Sequence, residues 1–219
     1  MTKSLRNIFD DNKSDKSTKH DYHLIYEPFF EKIRYEPINI LEVGILKGHS
    51  MLAWLEYFPN AQIYGIDIFT RVGMLEIPAL KRKRTHWAIC DSTTMVSQST
   101  IKRKWPDVKF DIILDDGLHT LRGQAKTFMN LMPFLKEDGT YFIEDVCPVD
   151  KLQEERCDPH HPAFTVKIHN WFARAEKHFN PIQMDFFMNT LKDSGHKITH
   201  HDNRVMTGEP DSYVISIKK

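Results

Sequence analysis

The 219-residue chain has only three cysteines, irregularly spaced. They are too few for a disulfide framework, so a reducing compartment is expected. It has no excess charge of either sign: 30 basic side chains stand against 30 acidic ones. A net charge near zero removes the simplest reason to expect nucleic acid or an anionic membrane as partner. No apolar run approaches the ~18 residues of a bilayer-spanning helix. No apolar stretch follows the polar start Met-Thr-Lys-Ser-Leu-Arg-Asn, so a secretory signal is not expected. Internal repeats and low-complexity tracts are missing as well. What remains is ordinary globular composition, 41% hydrophobic and 27% charged, which fits a cytoplasmic protein of one large domain.

Residues 1–20 are polar and charged, and predict an arm or lid with little to pack. Tyr22, Ile25, Tyr26, Phe29, Phe30 and Ile33 recur at helical spacing, so an amphipathic helix is expected over 22–34, stopped by Pro37. Apolar runs at 38–43, 62–68, 85–90, 110–114 and 140–143 then alternate with helical stretches at 50–58 and 120–135. That alternation implies parallel βαβ units buried on both faces. The C-terminal third begins with an irregular insertion, 146–162, holding Pro148, Pro159 and Pro162. Helices are expected at 164–179 and 184–192, and two neighbouring strands, 197–201 and 212–218, predict a hairpin at one sheet edge. The expected fold is α/β, a seven-stranded mostly parallel sheet with a C-terminal antiparallel hairpin. It forms a single domain over 1–219: an arm and helix to 37, a core over 38–145, and a substrate-side remainder.

The first strand runs into Glu42-Val43-Gly44-Ile45-Leu46-Lys47-Gly48. A strand, a Gly-x-x-x-Gly loop and a helix let the backbone approach a ligand closely at the carboxyl end of the strand. The second strand ends at Asp67, one crossover beyond Gly44, where a carboxylate can accept hydrogen bonds from a ribose diol. The third ends at Cys90-Asp91-Ser92, a second acceptor suited to an adenine amino group. Acids at successive strand ends repel a pyrophosphate, and Gly-x-Gly-x-x-Gly is absent because position 46 is leucine, so a dinucleotide is disfavoured. The pattern resembles class I S-adenosylmethionine-dependent methyltransferases, whose first motif is an acidic residue followed by x-Gly-x-x-x-Gly. The resemblance implies a Rossmann-like fold and S-adenosyl-L-methionine as cofactor. It points to Glu42, Gly44, Gly48, Asp67, Ile68, Asp91 and Ser92 as cofactor-binding residues, with Tyr22 and Asp115 beside them.

After the fourth strand comes Asp115-Asp116-Gly117-Leu118-His119, and after the fifth Glu144-Asp145. Adjacent parallel strands bring these carboxylates together, where they repel unless a cation sits between them. Hard oxygen ligands favour Mg²⁺, Mn²⁺ or Ca²⁺ over zinc. The plainer alternative is that Asp116 or Asp145 caps a following helix, and that His119 caps the helix starting near Thr120. The segment is similar to the metal-dependent macrolide-sugar O-methyltransferases of the mycinamicin and tylosin pathways, with their Asp-Asp-Gly-Ser-His and Ile-Glu-Asp motifs. Leu118 stands where that family usually has serine. The resemblance covers about residues 14–145, including Ser14-Asp15-Lys16 as the counterpart of a Thr-Asp-Lys segment. It implies Asp116, Glu144 and Asp145 as ligands of Mg²⁺ or Mn²⁺, and His119 as catalytic base. The function implied is methyl transfer to a hydroxyl of a sugar or small vicinal diol. The rivals are a catechol-type O-methyltransferase and a non-catalytic S-adenosylmethionine-binding protein. A small-molecule or glycan hydroxyl substrate is the expected partner, with no nucleic acid or membrane and a homo-oligomer left open. Two other features read more plainly. Cys157-x-x-His160-His161 is only half a zinc site, and Lys81-Arg82-Lys83-Arg84 reads as a solvated helix end.

Overall fold

Ile-, Val- and Tyr-rich runs form the strands β1 (Asn39–Val43), β2 (Gln62–Asp67), β3 (Thr85–Ile89), β4 (Phe110–Asp115), β5 (Leu135–Ile143), β6 (Lys197–Asp202) and β7 (Tyr213–Lys218). They make one seven-stranded sheet in the order β3-β2-β1-β4-β5-β7-β6. β1 to β5 pair in parallel, and β7 runs antiparallel to both β5 and β6. This computed structural model describes residues 2–146, 181–209 and 211–219. The insertion beyond Val146, with Cys157, His160 and His161, and the helix expected at 164–179 lie outside the described residues.

Among the described residues the α-helices are α1 (Leu5–Asp11), α2 (Asp15–Thr18), α3 (His23–Phe30), α4 (His49–Tyr57), α5 (Val96–Lys104), α6 (Leu121–Leu131), α7 (Pro181–Asp193) and α8 (Arg204–Thr207). They cover both sheet faces. Ile101, Leu121, Phe128, Phe187 and Leu191 pack on one side with Leu41, Ile113 and Tyr141 of the sheet. On the other, Ile8, Phe9, Tyr22, Tyr26, Phe30 and Trp54 pack with Ile40, Ile112, Leu114 and Phe142. Strand period two fixes this division: Ile40, Ile112, Leu114 and Phe142 face the N-terminal helices and Leu41, Ile113 and Tyr141 face α5 to α7, while Phe110, ahead of a register shift in β4, also lies on the latter side.

Several boundaries differ from the sequence expectation. β5 begins at Leu135 rather than at 140. The helix starting near Thr120 ends at Leu131 and tightens into a 3₁₀ turn through Phe134. α5 carries few apolar residues, and the positions it buries are Ser97, Thr100 and Ile101, so it shows no stripe to read. Arg84, expected to be solvated, donates to the carbonyls of Leu55 (2.5 Å), Phe58 (2.9 Å) and Ala61 (2.6 Å), satisfying acceptors at and beyond the end of α4.

The largest correction concerns residues 1–20, expected to pack little. Leu5, Ile8 and Phe9 recur at i, i+3 and i+4, and all three are buried. Ser4 caps α1 by accepting the Asn7 N–H, and Ser14 caps α2 by accepting that of Lys16. One stripe of three residues in a seven-residue helix is too short to stand out among the charges around it. Phe9 is fully buried, with its ring edge-to-face on Trp54 at a centroid distance of 5.0 Å. Phe9→Ala is therefore expected to destabilise the chain by about 3–5 kcal/mol. Chemical denaturation measures this, and a loss well under 1 kcal/mol would show that α1 is peripheral to the core.

Candidate active site at the strand ends

A cavity of about 510 Å³ opens at the carboxyl ends of β1 to β4, bounded by the loop after β1, the ends of β2 and β3, and the turn after β4. The loop comes close because residue 44 has no side chain. Gly44 has φ 87°, and a Cβ there would lie 2.1 Å from the Asp116 carbonyl oxygen. Asp67 shapes the same loop. Its Oδ2 accepts the N–H groups of Ile45 (2.7 Å) and Leu46 (3.0 Å), and its Oδ1 that of Phe69 (2.6 Å). Leu46 takes a left-handed conformation, φ 48°, and those two hydrogen bonds to Asp67 oppose its strain. Ile68, Asp91 and Ser92 also line the cavity. Asp91 accepts both the backbone N–H (2.9 Å) and the hydroxyl (2.7 Å) of Thr93.

Other residues expected at the cofactor do not reach the cavity. Gly48 begins α4 in the left-handed region, φ 74°, and a Cβ would meet Ile77 and Ala79 at 2.7 and 2.8 Å, so its demand is helix packing. Glu42 is fully buried on the even-numbered face of β1, under α3 and α4. Asp115 points to the opposite face, accepting the Tyr141 hydroxyl (3.4 Å) and the Gly117 N–H (3.4 Å), and burial pushes its carboxyl up to about 7. Tyr22 is also fully buried, donating from Oη to Asp145 Oδ1 (2.6 Å) and to the Asp211 carbonyl (3.0 Å). Strand alternation and the folded N-terminal segment explain these departures, since being next to a motif residue places a side chain on the other face.

The acidic cluster is arranged by the same alternation. Glu42, Asp116 and Glu144 end the even-numbered rows of β1, β4 and β5, so their carboxylates meet on the N-terminal face, where Lys16 descends from α2. The Lys16 ammonium donates to Asp116 Oδ2 (2.7 Å) and to Glu144 Oε2, and lies 3.9 Å from Glu42. Lys16 is 1% exposed. Burial alone would lower its pKa, but the charges of Asp116, Glu144 and Glu42 hold it well above the ordinary lysine value. The other oxygen of Glu144 accepts the Tyr26 hydroxyl. Both Glu144 oxygens thus accept hydrogen bonds from protein donors.

A second convergence lies on the cavity side. Asp145 takes a left-handed backbone, φ 51°. Its Oδ2 lies 3.9 Å from His119 Nε2, and Asp116 Oδ1 lies 3.7 Å from the same nitrogen. Asp116, His119 and Asp145 offer ligand atoms within 4.8 Å of one another, and all three residues line the cavity. Burial pushes the Asp145 carboxyl up, with the His119 charge opposing it. Thr120, not His119, caps α6 by accepting the Gly123 N–H, so the imidazole is left at the cavity wall. His20, Asp145 and Asp211 make a second such group behind it. Sequence reasoning missed Lys16, Tyr26 and Asp211 as parts of this site. For Lys16 the Ser-Asp-Lys segment was the available signal, whereas Tyr26 and Asp211 carried none.

Comparison with known proteins agrees with this geometry. Residues 41–146 match a family model described as a methyltransferase domain. A tetracenomycin-rhamnosyl 3'-O-methyltransferase of Streptomyces olivaceus is 31% identical over 140 residues, covering 59% of this chain and 34% of that protein. Mycinamicin VI 2''-O-methyltransferase of Micromonospora griseorubida is 30% identical over 128 residues, 55% of this chain and 30% of that protein. The matched part spans about a third of the length of these relatives. Among solved structures, the MycE methyltransferase of the mycinamycin pathway, in complex with Mg and S-adenosylhomocysteine, aligns with a TM-score of 0.67 at 20% identity. That alignment covers 100% of this chain and 55% of MycE. The S-adenosylhomocysteine-bound Podospora anserina methyltransferase PaMTH1 aligns with a TM-score of 0.62 at 16% identity, over 100% of this chain and 88% of that one. The fold is that of the class I methyltransferases.

Glu42 gives the site a measurable pH signature. Burial, opposed by Lys16, raises its carboxyl from 4.5 to about 7, so the folded chain holds that proton more tightly than the unfolded one. The associated stability is full below the unfolded value of 4.5 and is lost as pH rises through about 7, a span of about 3 kcal/mol. Relative to Glu42→Gln, the native chain should therefore weaken between about pH 5 and pH 8. Urea unfolding of both chains checks this, and a difference independent of pH would rule the titration out.

Proposed function

We propose that this chain carries the catalytic domain of an S-adenosylmethionine-dependent O-methyltransferase acting on a hydroxyl of a sugar or small vicinal diol, with Mg²⁺ as its metal. One observation carries the reading: a single cavity is lined both by the Gly44 loop with Asp67 and by Asp116, His119 and Asp145. The nucleoside side fits. The backbone at Gly44 leaves room for a ligand, and Asp67 and Asp91 set carboxylates at successive strand ends against hydroxyl and amino donors. The metal side fits too, since Asp116 and Asp145 bring hard oxygens together and burial disfavours the charge of Asp145. Mg²⁺ is ordinarily held by one or two carboxylates with water or substrate completing its shell. When bound, the ion lowers the pKa of a hydroxyl and orients neighbouring oxygens.

The remaining roles belong to the chain's own residues. Imidazoles exchange protons near neutral pH, and His119 Nε2 stands beside both carboxylates at the cavity wall. In this reading His119 takes the acceptor's hydroxyl proton as the oxygen gains the methyl group and the sulfonium carbon–sulfur bond breaks, releasing S-adenosylhomocysteine. Asp116 and Asp145 stabilise the imidazolium that forms. The half-exposed His119 ring and Leu118 beside it face the opening, where an acceptor would enter. The substrates named for the relatives, rhamnosyl tetracenomycin and mycinamicin VI, support a glycoside over a catechol.

Two outcomes are expected. Asp67→Ala should weaken S-adenosylhomocysteine binding by about 1–3 kcal/mol, because it removes an acceptor from the ribose and frees three loop N–H groups. Unchanged affinity in calorimetry would reject that assignment. His119→Ala should keep cofactor and metal binding but slow methyl transfer by ~10²–10⁴, with partial recovery at higher pH. Mass spectrometry of rhamnosides and of catechols, with and without chelator, decides the acceptor class. Cofactor binding without transfer to any diol would favour a binding-only role.

A further inference from the structure

Tyr22 lies outside the cavity, yet its hydroxyl grips Asp145 twice. The one phenol proton is shared by Asp145 Oδ1 (2.6 Å) and the Asp211 carbonyl (3.0 Å), with the charged oxygen the nearer. The same phenol oxygen accepts the Asp145 N–H (3.3 Å). One atom thus ties down both the side chain and the backbone of this residue. The backbone needs such support, because Asp145 holds φ 51°, a conformation that persists only where its surroundings over-determine it. Two further bonds complete the turn. Gln124 of α6 donates to the Glu144 carbonyl (2.9 Å), and the Val146 N–H donates to the Tyr213 carbonyl (3.0 Å).

Tyr22 is itself held still. It is fully buried, its ring stacks on His20 at a centroid distance of 4.9 Å, and its N–H donates to the Lys16 carbonyl (2.7 Å). His20 in turn pairs with Ser212 (2.9 Å), just before β7. Resting on the function proposed above, we infer that Tyr22, with Gln124 behind it, aims the Asp145 carboxylate. Together they fix Oδ1 and the backbone, so that Oδ2 is the oxygen turned to His119, 3.9 Å away. Both act as positioning residues, because they touch Asp145 and the peptide before it and not the reacting atoms. A phenylalanine at position 22 would fill the same space but remove this donor from Oδ1 and this acceptor from the Asp145 N–H, freeing the carboxylate to rotate. Losing a group that orients a metal ligand in this way typically costs about 10–100-fold in metal affinity.

The test is Mn²⁺ binding to the full chain without methyl donor or acceptor, followed by calorimetry or by the paramagnetic signal of free Mn²⁺. Tyr22→Phe should raise the Mn²⁺ dissociation constant about tenfold while S-adenosylhomocysteine affinity stays within about threefold. Phe110→Leu, at the opposite end of β4 from Asp115, serves as a control for general loss of stability and should bind Mn²⁺ like the native chain. Circular dichroism reports whether each variant is folded. If Tyr22→Phe does not fold, Gln124→Met decides instead, with the same direction expected, because it keeps the buried volume and removes only the bond to the Glu144 carbonyl. A rise of less than about threefold in the deciding variant would overturn the inference, as would an equal loss in Phe110→Leu. An equal loss of S-adenosylhomocysteine affinity in the deciding variant would overturn it too, by placing the effect at the cofactor. Each of these outcomes leaves the methyl-transfer reading standing. A native chain that binds S-adenosylhomocysteine but no Mn²⁺ would overturn the inference together with the metal part of that reading.

Discussion

A lysine ammonium buried at the ends of three strands has to be matched by negative charge, and much of this structure follows from that requirement. An unpaired charge in a protein interior costs several kcal/mol, and a pair holds only when geometry and hydrogen bonds are both satisfied. Lys16 meets the condition with Asp116 from the end of β4 and Glu144 from the end of β5, while Tyr26 of α3 supplies a donor to Glu144. Elements far apart in the chain are thereby fixed to one point. The aromatic cluster of Tyr26, Phe30, Trp54 and Phe142 packs beside it and keeps water out.

The arrangement separates two uses of acidity. Carboxylates on the sealed side are paired with Lys16 and belong to the architecture. Those that reach the cavity, Asp116 Oδ1 and Asp145, keep company with His119. Asp116 takes part in both groups, with Oδ2 on Lys16 and Oδ1 toward His119. Asp145 leaves the buried row because the backbone reverses there into a left-handed conformation, which aspartate tolerates better than most residues. Asp67 lines the same cavity and is also the acceptor that holds the Gly44 loop in shape.

Parallel strands with glycine loops and strand-end acids are written in local sequence, which is why β1 to β5, the hairpin strands β6 and β7, and the positions of Asp67, Asp91, Asp116, His119 and Asp145 were legible. Each depends on a run of a few residues and on the side-chain period of a strand. The α1 stripe was present but short, and polar α5 offered no stripe at all.

What the residues determined alone was a parallel α/β sheet, a ligand loop at its carboxyl end, and a set of acids and one histidine gathered there. The tertiary structure decided which of those acids are available. All three of Glu42, Glu144 and Asp145 read as strand-end acids, yet the two glutamates are sealed under α3 and α4 and Asp145 opens to the cavity. That division depends on Lys16, which lies 100 residues from Asp116 and 128 from Glu144 along the chain. Charge pairing acts through space, so only the folded chain, with α2 pressed onto the strand ends, fixes which carboxylates it neutralises.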